Sequence, residues 1–200
     1  MAINPIVFYN EIVKYGVELF TGVPDSLLKE FCLCVDEQMS KNAHIITANE
    51  GNAIGIAAGH YLAKKSIPLV YMQNSGLGNA INPLLTLCDP EVYSIPMLLM
   101  IGWRGEPGVK DEPQHVKQGM IQIELMKTLG IPFEIISKND LDYKSKISKC
   151  IETAKSENRP TALLIKKGTF GKYNTDSSGT KEQRIKREKA LEIILDNLDR

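Results

Sequence analysis

With 200 residues and 43% hydrophobic content, the chain can bury one domain-sized core with a short remainder, and a second full domain does not fit. Lysine plus arginine balances aspartate plus glutamate at 24 each, so no overall field draws the protein to nucleic acid or to an anionic membrane, and an anionic ligand has to be held by local groups. Cys32, Cys34, Cys88 and Cys150 include no Cys-x-x-Cys pair and read as reduced core thiols.

The first residues lack the basic segment, long apolar core and cleavage site of a signal peptide, and no apolar run approaches the roughly 20 residues that cross a bilayer, so a cytoplasmic location is expected. Residues 5–15 repeat apolar positions at helical spacing and stop at Gly16, after which Val17 to Thr21 reads as a strand entering the turn Gly22-Val23-Pro24. Asp25 or Ser26 can cap the next helix, whose apolar face is Leu27, Leu28, Phe31, Cys32 and Val35. A strand over 44–48 precedes a helix opened by Glu50.

That helix has almost no side-chain bulk. Gly51, Gly55 and Gly59 recur every fourth residue and share one face, on which a neighbouring backbone can come close. Each mid-helix glycine costs about 0.8–1 kcal/mol against alanine, so close packing has to return about 2–3 kcal/mol. The expectation is that Glu50 is screened from water at the head of a packed helix, where a carboxyl group can exchange a proton with a ring nitrogen. The simpler alternative is a solvated acid that complements the helix dipole.

Ile67 to Gln73 reads as a buried strand, Asn74 to Gly78 as a turn, and 79–88 as a helix strained or started at Asn82-Pro83. Pro96 to Ile101 is a further strand, followed by a polar segment from Gly102 to Gly119 without periodicity, long enough to suggest a functional loop. A helix over 120–129, a strand over 132–136, a helix over 140–155 and a strand over 161–166 complete the pattern. Six strands separated mostly by helices predict an α/β fold, a mostly parallel six-stranded sheet with helices on both faces. Residues 168–181 read as a linker, and the helix after them carries Leu191, Ile194, Leu195 and Leu198 on one side, as if for a further structure.

Gln73-Asn74-Ser75-Gly76-Leu77-Gly78 falls at the carboxyl end of a strand, where open parallel sheets bind ligands. It half-matches a dinucleotide fingerprint, but Ala80-Ile81-Asn82 replaces the third glycine, so protection by NAD or FAD is not expected. A capped turn with no ligand is the alternative.

Glu50 with its glycine helix, Ser75-Gly76-x-Gly78-x-x-x-Asn82 and Gly22-Val23-Pro24-Asp25 together resemble the pyrimidine-binding domain of thiamine-diphosphate-dependent decarboxylases, over about residues 3–170. The resemblance implies a pyrimidine-binding domain over 1–170 and, over 171–200, a linker and helix leading to a diphosphate-binding domain. It implies that Glu50 hydrogen-bonds the aminopyrimidine of thiamine diphosphate and drives its imino tautomer, that Asp25 and His115 serve later proton transfers, and that Gln73, Asn74, Ser75 and Gly76 line the ring. For Asp25 an ordinary N-cap, and for His115 an exposed loop histidine, stay open beside these roles.

The segment from Trp103 to His115 resembles most the phosphonopyruvate decarboxylases, with the sulfopyruvate decarboxylases next. A 2-oxo acid with a second anionic group calls for cationic donors, for which Arg104 and Lys110 are available, with Asp25 and His115 beside the substrate. A surface salt bridge from Arg104 to Glu106 is the alternative. The family holds Mg²⁺ through a Gly-Asp-Gly motif in a second domain, and this sequence has neither a Gly-Asp nor an Asp-Gly pair, so no metal site is assigned to it and a diphosphate-binding domain or subunit is the implied partner. A homo-oligomer packed through the glycine face is also implied. A non-catalytic assembly subunit is the reading from outside enzymology.

Overall fold

Alternation of side chains along β-strands accounts for the two cores of this protein. The computed structural model describes residues 1–174 and 187–198, with the side chains of 188–197 in the second stretch. The elements in chain order are α1 (Pro5–Val13), β1 (Phe20–Gly22), α2 (Lys29–Gln38), β2 (His44–Ile46), α3 (Glu50–Lys64), β3 (Leu69–Gln73), α4 (Leu77–Pro83), β4 (Met97–Gly102), α5 (Pro113–Thr128), β5 (Phe133–Ile136), α6 (Tyr143–Glu157), β6 (Pro160–Ile165) and α7 (Arg187–Leu198).

The six strands form one sheet in the order β2-β1-β3-β4-β6-β5, and every pairing is parallel. Leu69, Tyr71, Leu98, Met100, Leu163 and Ile165 point to one face and pack with α1, α2 and α6. Val70, Met72, Leu99, Ile101, Ala162 and Leu164 point to the other, against residues of α3, α4 and α5. A strand buried on both faces has no polar positions to alternate with, so the apolar runs at 69–72 and 97–101 are what a doubly covered sheet requires.

The chain leaves β1 toward β2 and returns to β3 on the other side, which puts the topological switch point between β1 and β3. There Gly22 brings the two strands together: a Cβ on it would overlap the Tyr71 carbonyl, and its φ of 154° is one that side chains rarely adopt. Asp25 follows the carboxyl end of β1 and Glu50 that of β2, while Gln73 to Gly76 stand at the carboxyl end of β3, so all lie at one end of the sheet.

Three expectations change. The aperiodic stretch to Gly119 is not a loop throughout, because α5 starts at Pro113. The buried positions of α5 are Gly119, Gln122 and Met126, of which only the last is a large apolar residue, while Val116, Met120 and Ile121 face outward. The helix expected over 79–88 begins at Leu77, and beyond Pro83 it widens into a π turn over Leu84–Cys88. Proline has no N–H, so the Asn79 carbonyl four residues earlier loses its regular partner. The glycine face of α3 is also more open than expected within one chain. Gly51 alone meets a neighbour, the Asn79 carbonyl, 3.0 Å from where a Cβ would stand, while nothing lies within 4 Å of such a position on Gly55 or Gly59.

Residues 175–186 and 199–200, in the expected linker and final helix, lie outside the described residues, as does the Leu198 side chain. Leu191, Ile194 and Leu195 of α7 are exposed. No described helix is long and apolar enough to cross a membrane.

Candidate functional site

Asn49 caps α3 by accepting the Asn52 N–H at 2.9 Å, and this fixes Glu50 as the first helical residue. Glu50 is 8% exposed. The Nδ2 of Asn79, from α4, donates to its Oε2 at 2.8 Å. Its Oε1 rests against Gly76, and a Cβ there would overlap the carboxyl group. The glycine therefore makes the recess that admits the acid. Asn79 does two things at this junction, since its side chain holds the carboxylate while its carbonyl lies against Gly51.

Gln73 donates to Ser75 Oγ at 2.6 Å, and Ser75 is exposed at the rim beside Gly76. Asn74, expected to line a ring with them, is turned inward. It is fully buried, donates to the Arg104 carbonyl at 2.9 Å and accepts from the Arg104 N–H at 3.2 Å, while its own carbonyl accepts from Gln118 at 3.1 Å. Asn74 thereby ties the turn after β3 to the segment after β4.

That segment is organised by Asp111. Arg104 donates to Asp111 through Nε at 2.8 Å and Nη2 at 2.5 Å, the Gly105 and Glu112 N–H groups add bonds at 2.9 and 2.8 Å, and His115 Nδ1 lies 3.0 Å from Oδ1. The Arg104 guanidinium, helped by the two backbone N–H groups and His115 and opposed by burial, holds the Asp111 carboxyl well below the usual carboxylate range. The same pairing pushes the Arg104 pKa up. The partner expected for Arg104, Glu106, pairs with Lys166 instead.

Two glycines bring helix and loop into backbone contact here. A Cβ on Gly119 would overlap the Gly105 carbonyl, and one on Gly105, whose φ is 68°, would overlap the His115 carbonyl. His115 is consequently neither in a loop nor freely exposed: it sits in the first turn of α5 with 12% of its side chain accessible.

Asp25 does not cap α2, which starts at Lys29. Its Oδ2 accepts from the Leu27 N–H at 2.9 Å and lies against Gly102, where a Cβ would overlap it. Its Oδ1 is buried and has no partner among the described residues. Burial pushes the Asp25 pKa up, against the Leu27 N–H and the nearby Arg104. Arg104 also donates to Ser26, the residue after Asp25, at 2.9 Å, so the network of Arg104, Asp111 and His115 stands beside Asp25 and is joined through Asn74 to the turn that carries Gly76.

Asn79 and Gln118 come to these positions without a signal in the sequence, whereas Asp111 stands close to His115 in the same segment. The four-residue spacing of Asp111 and His115 suits an aspartate–histidine pair at a helix entry. A cleft of about 350 Å³ also runs from Asp25 past Cys32 and His44 to Tyr71, with His44 Nε2 and the Tyr71 hydroxyl 2.8 Å apart. A second, of about 260 Å³, is lined by Arg104, Lys110, Asp111, Glu112 and Lys167.

Known proteins resemble this chain to different extents. The chain is 29% identical over 170 residues to phosphonopyruvate decarboxylase of Streptomyces hygroscopicus, covering 84% of this chain and 41% of that protein. It is 33% identical over 157 residues to sulfopyruvate decarboxylase subunit alpha of Methanococcus maripaludis, covering 78% of this chain and 90% of the subunit. The chain thus spans about two fifths of the curated phosphonopyruvate decarboxylases it matches. The crystal structure of benzoylformate decarboxylase from Polynucleobacter necessarius superposes with a TM-score of 0.67 at 18% identity, over 88% of this chain and 32% of that one, which shows the shared fold. Residues 7–127 match the family described as thiamine pyrophosphate enzyme, N-terminal TPP binding domain, and the chain belongs to that family.

Proposed function

We propose that this chain is the pyrimidine-binding half of a thiamine-diphosphate-dependent decarboxylase that converts phosphonopyruvate to phosphonoacetaldehyde and CO2. The observation that carries the reading is the Glu50 carboxylate, screened from water and set in a recess that exists because residue 76 has no Cβ. A flat ring with a basic nitrogen and an amino group suits a recess walled by glycine and edged by Gln73 and Ser75. Bound thiamine diphosphate supplies the electron sink that allows a 2-oxo acid to lose CO2. Glu50 holds a proton at the ring nitrogen, and Asn79 keeps the carboxylate oriented toward it. Asp25 and His115 act on the substrate side, where a buried carboxyl and an imidazole give and take protons. The Arg104 charge is already matched by Asp111, so Lys110 and Lys167 on the same cleft are left to attract the second anionic group.

Magnesium and the diphosphate belong to a separate domain or subunit. The outward face of α3, with Gly55, Gly59, Ile56 and Leu62 uncovered, supports packing against a second copy. A second reading, the alpha subunit of a sulfopyruvate decarboxylase, is favoured by the 90% coverage of the Methanococcus maripaludis subunit.

The test combines the chain with a diphosphate-binding partner, thiamine diphosphate, Mg²⁺ and phosphonopyruvate, and follows aldehyde. Glu50→Gln is expected to lower the rate on the order of 10²-fold or more. A rate unchanged by that substitution refutes the role of Glu50, and much faster turnover of sulfopyruvate selects the second reading.

A further inference from the structure

We propose that Asp111 is the positioning residue that sets the tautomer of His115, holding the proton on Nδ1 and leaving Nε2 as the ring atom offered to the substrate. The inference rests on the reading that His115 faces substrate.

The argument begins with what Asp111 can accept and what it cannot give. An ionised carboxylate is an acceptor only. Asp111 is kept ionised by donors on both oxygens: Arg104 Nε and the Gly105 N–H reach Oδ2, while Arg104 Nη2 and the Glu112 N–H reach Oδ1. The ring nitrogen 3.0 Å from Oδ1 is Nδ1, so in the neutral imidazole that nitrogen has to be the donor. Nε2 then has its lone pair free, ready to accept a proton and afterwards return it. The opposite tautomer would set two lone pairs against each other at this distance.

The placement is rigid on both sides. Asp111 has only 7% of its side chain accessible and His115 12%, and the backbone contacts of Gly105 with His115 and of Gly119 with Gly105 fix the helix turn against the loop. Asn74 then locks Arg104, the principal partner of Asp111, to the turn that carries Gly76. The acid therefore works through histidine, and the arginine through the acid.

The test uses the chain with ¹⁵N-labelled histidine, of which it has three, at mildly alkaline pH where neutral rings dominate. The His115 signals, assigned by their loss in His115→Gln, are expected to show Nδ1 protonated and Nε2 bare, and in Asp111→Asn to show both tautomers. In the enzyme assembled with its diphosphate-binding partner, Asp111→Asn is expected to lower kcat on the order of 10²-fold with KM little changed. Adding Asp111→Asn to His115→Gln should then cost nothing more, because the two act as a unit.

A wild-type ring protonated on Nε2 overturns the proposal, and this spectrum decides even if Asp111→Asn does not fold. Costs that multiply in the double variant overturn it as well. Full activity of Glu50→Gln would sink the proposed function while leaving the tautomer result standing, so the two failures are separable.

Discussion

Gly76→Ala is the substitution that most directly probes the recess around Glu50. Residue 76 has φ −69° and ψ −19°, a conformation alanine adopts without strain, so the backbone itself gains about 0.4–1 kcal/mol from a stiffer unfolded chain. The new methyl overlaps Oε1, Cδ and Cγ of Glu50, and the side chain has to swing away. Swinging away breaks the bond from Asn79, and a hydrogen bond to a charged group is worth about 1.5–3 kcal/mol. The net loss is about 1–2 kcal/mol, which for a chain of this length lowers Tm by roughly 2–8 °C. Under the proposed role of Glu50, function should suffer far more, because a displaced carboxylate would not meet the ring, and a decline on the order of 10²-fold in cofactor-dependent turnover is expected. Calorimetry of the chain and a rate assay of the assembled enzyme give the two numbers. Gly78→Ala is the control: nothing lies within 4 Å of its Cβ position, so its melt should be unchanged or higher. Wild-type melting together with wild-type turnover for Gly76→Ala would refute the recess.

Asn74→Ala takes the side-chain donor from the Arg104 carbonyl, while the Arg104 N–H keeps the Gly102 carbonyl at 3.2 Å, so one group is left unmet and urea unfolding should show a loss of about 1–3 kcal/mol. Asp25 and Asp111 should give opposite pH signatures. The Asp25 pKa is raised on folding, so its contribution is full below the unfolded value of 3.8 and is lost as pH rises through the folded one; Asp25→Asn is therefore expected to be more stable than wild type near neutrality, with the difference closing in acid. The Asp111 pKa is lowered, so its stabilisation is present above 3.8 and fades as pH falls, and Asp111→Asn is expected to be less stable near neutrality and to approach wild type only in strong acid. Thermal unfolding across pH checks both signs. Gln122 is fully buried with neither amide atom partnered among the described residues, so Gln122→Met should raise stability by about 1–3 kcal/mol in the same urea assay.

The sheet was readable because its signals are continuous. Leu69 to Met72 and Met97 to Ile101 are unbroken apolar runs of strand length, and strand and helix alternate in a way that few architectures satisfy. The start of α5 was not readable, since a helix whose first two buried residues are glycine and glutamine looks like a loop to a test of apolar period. Much the same divides the site. Glu50 stands out through the glycines around it, and Asp25 and His115 through their motifs. Asn74 and Asn79 do their work through partners 30 and 29 residues away, on other elements, and such contacts across a fold leave no local mark, whereas Asp111 shows in the sequence only as an acid four residues before His115.

Pro83 sets a conflict between firmness and fit. Alanine in its place would restore an amide donor to α4, recapture the Asn79 carbonyl for the helix, and tighten the coil that the ring now interrupts. The same repair would draw Asn79 off Gly51 and unsettle the amide that steadies Glu50. Engineering for heat resistance that begins by regularising this helix would thus wear away the very acid the fold was shaped to hold.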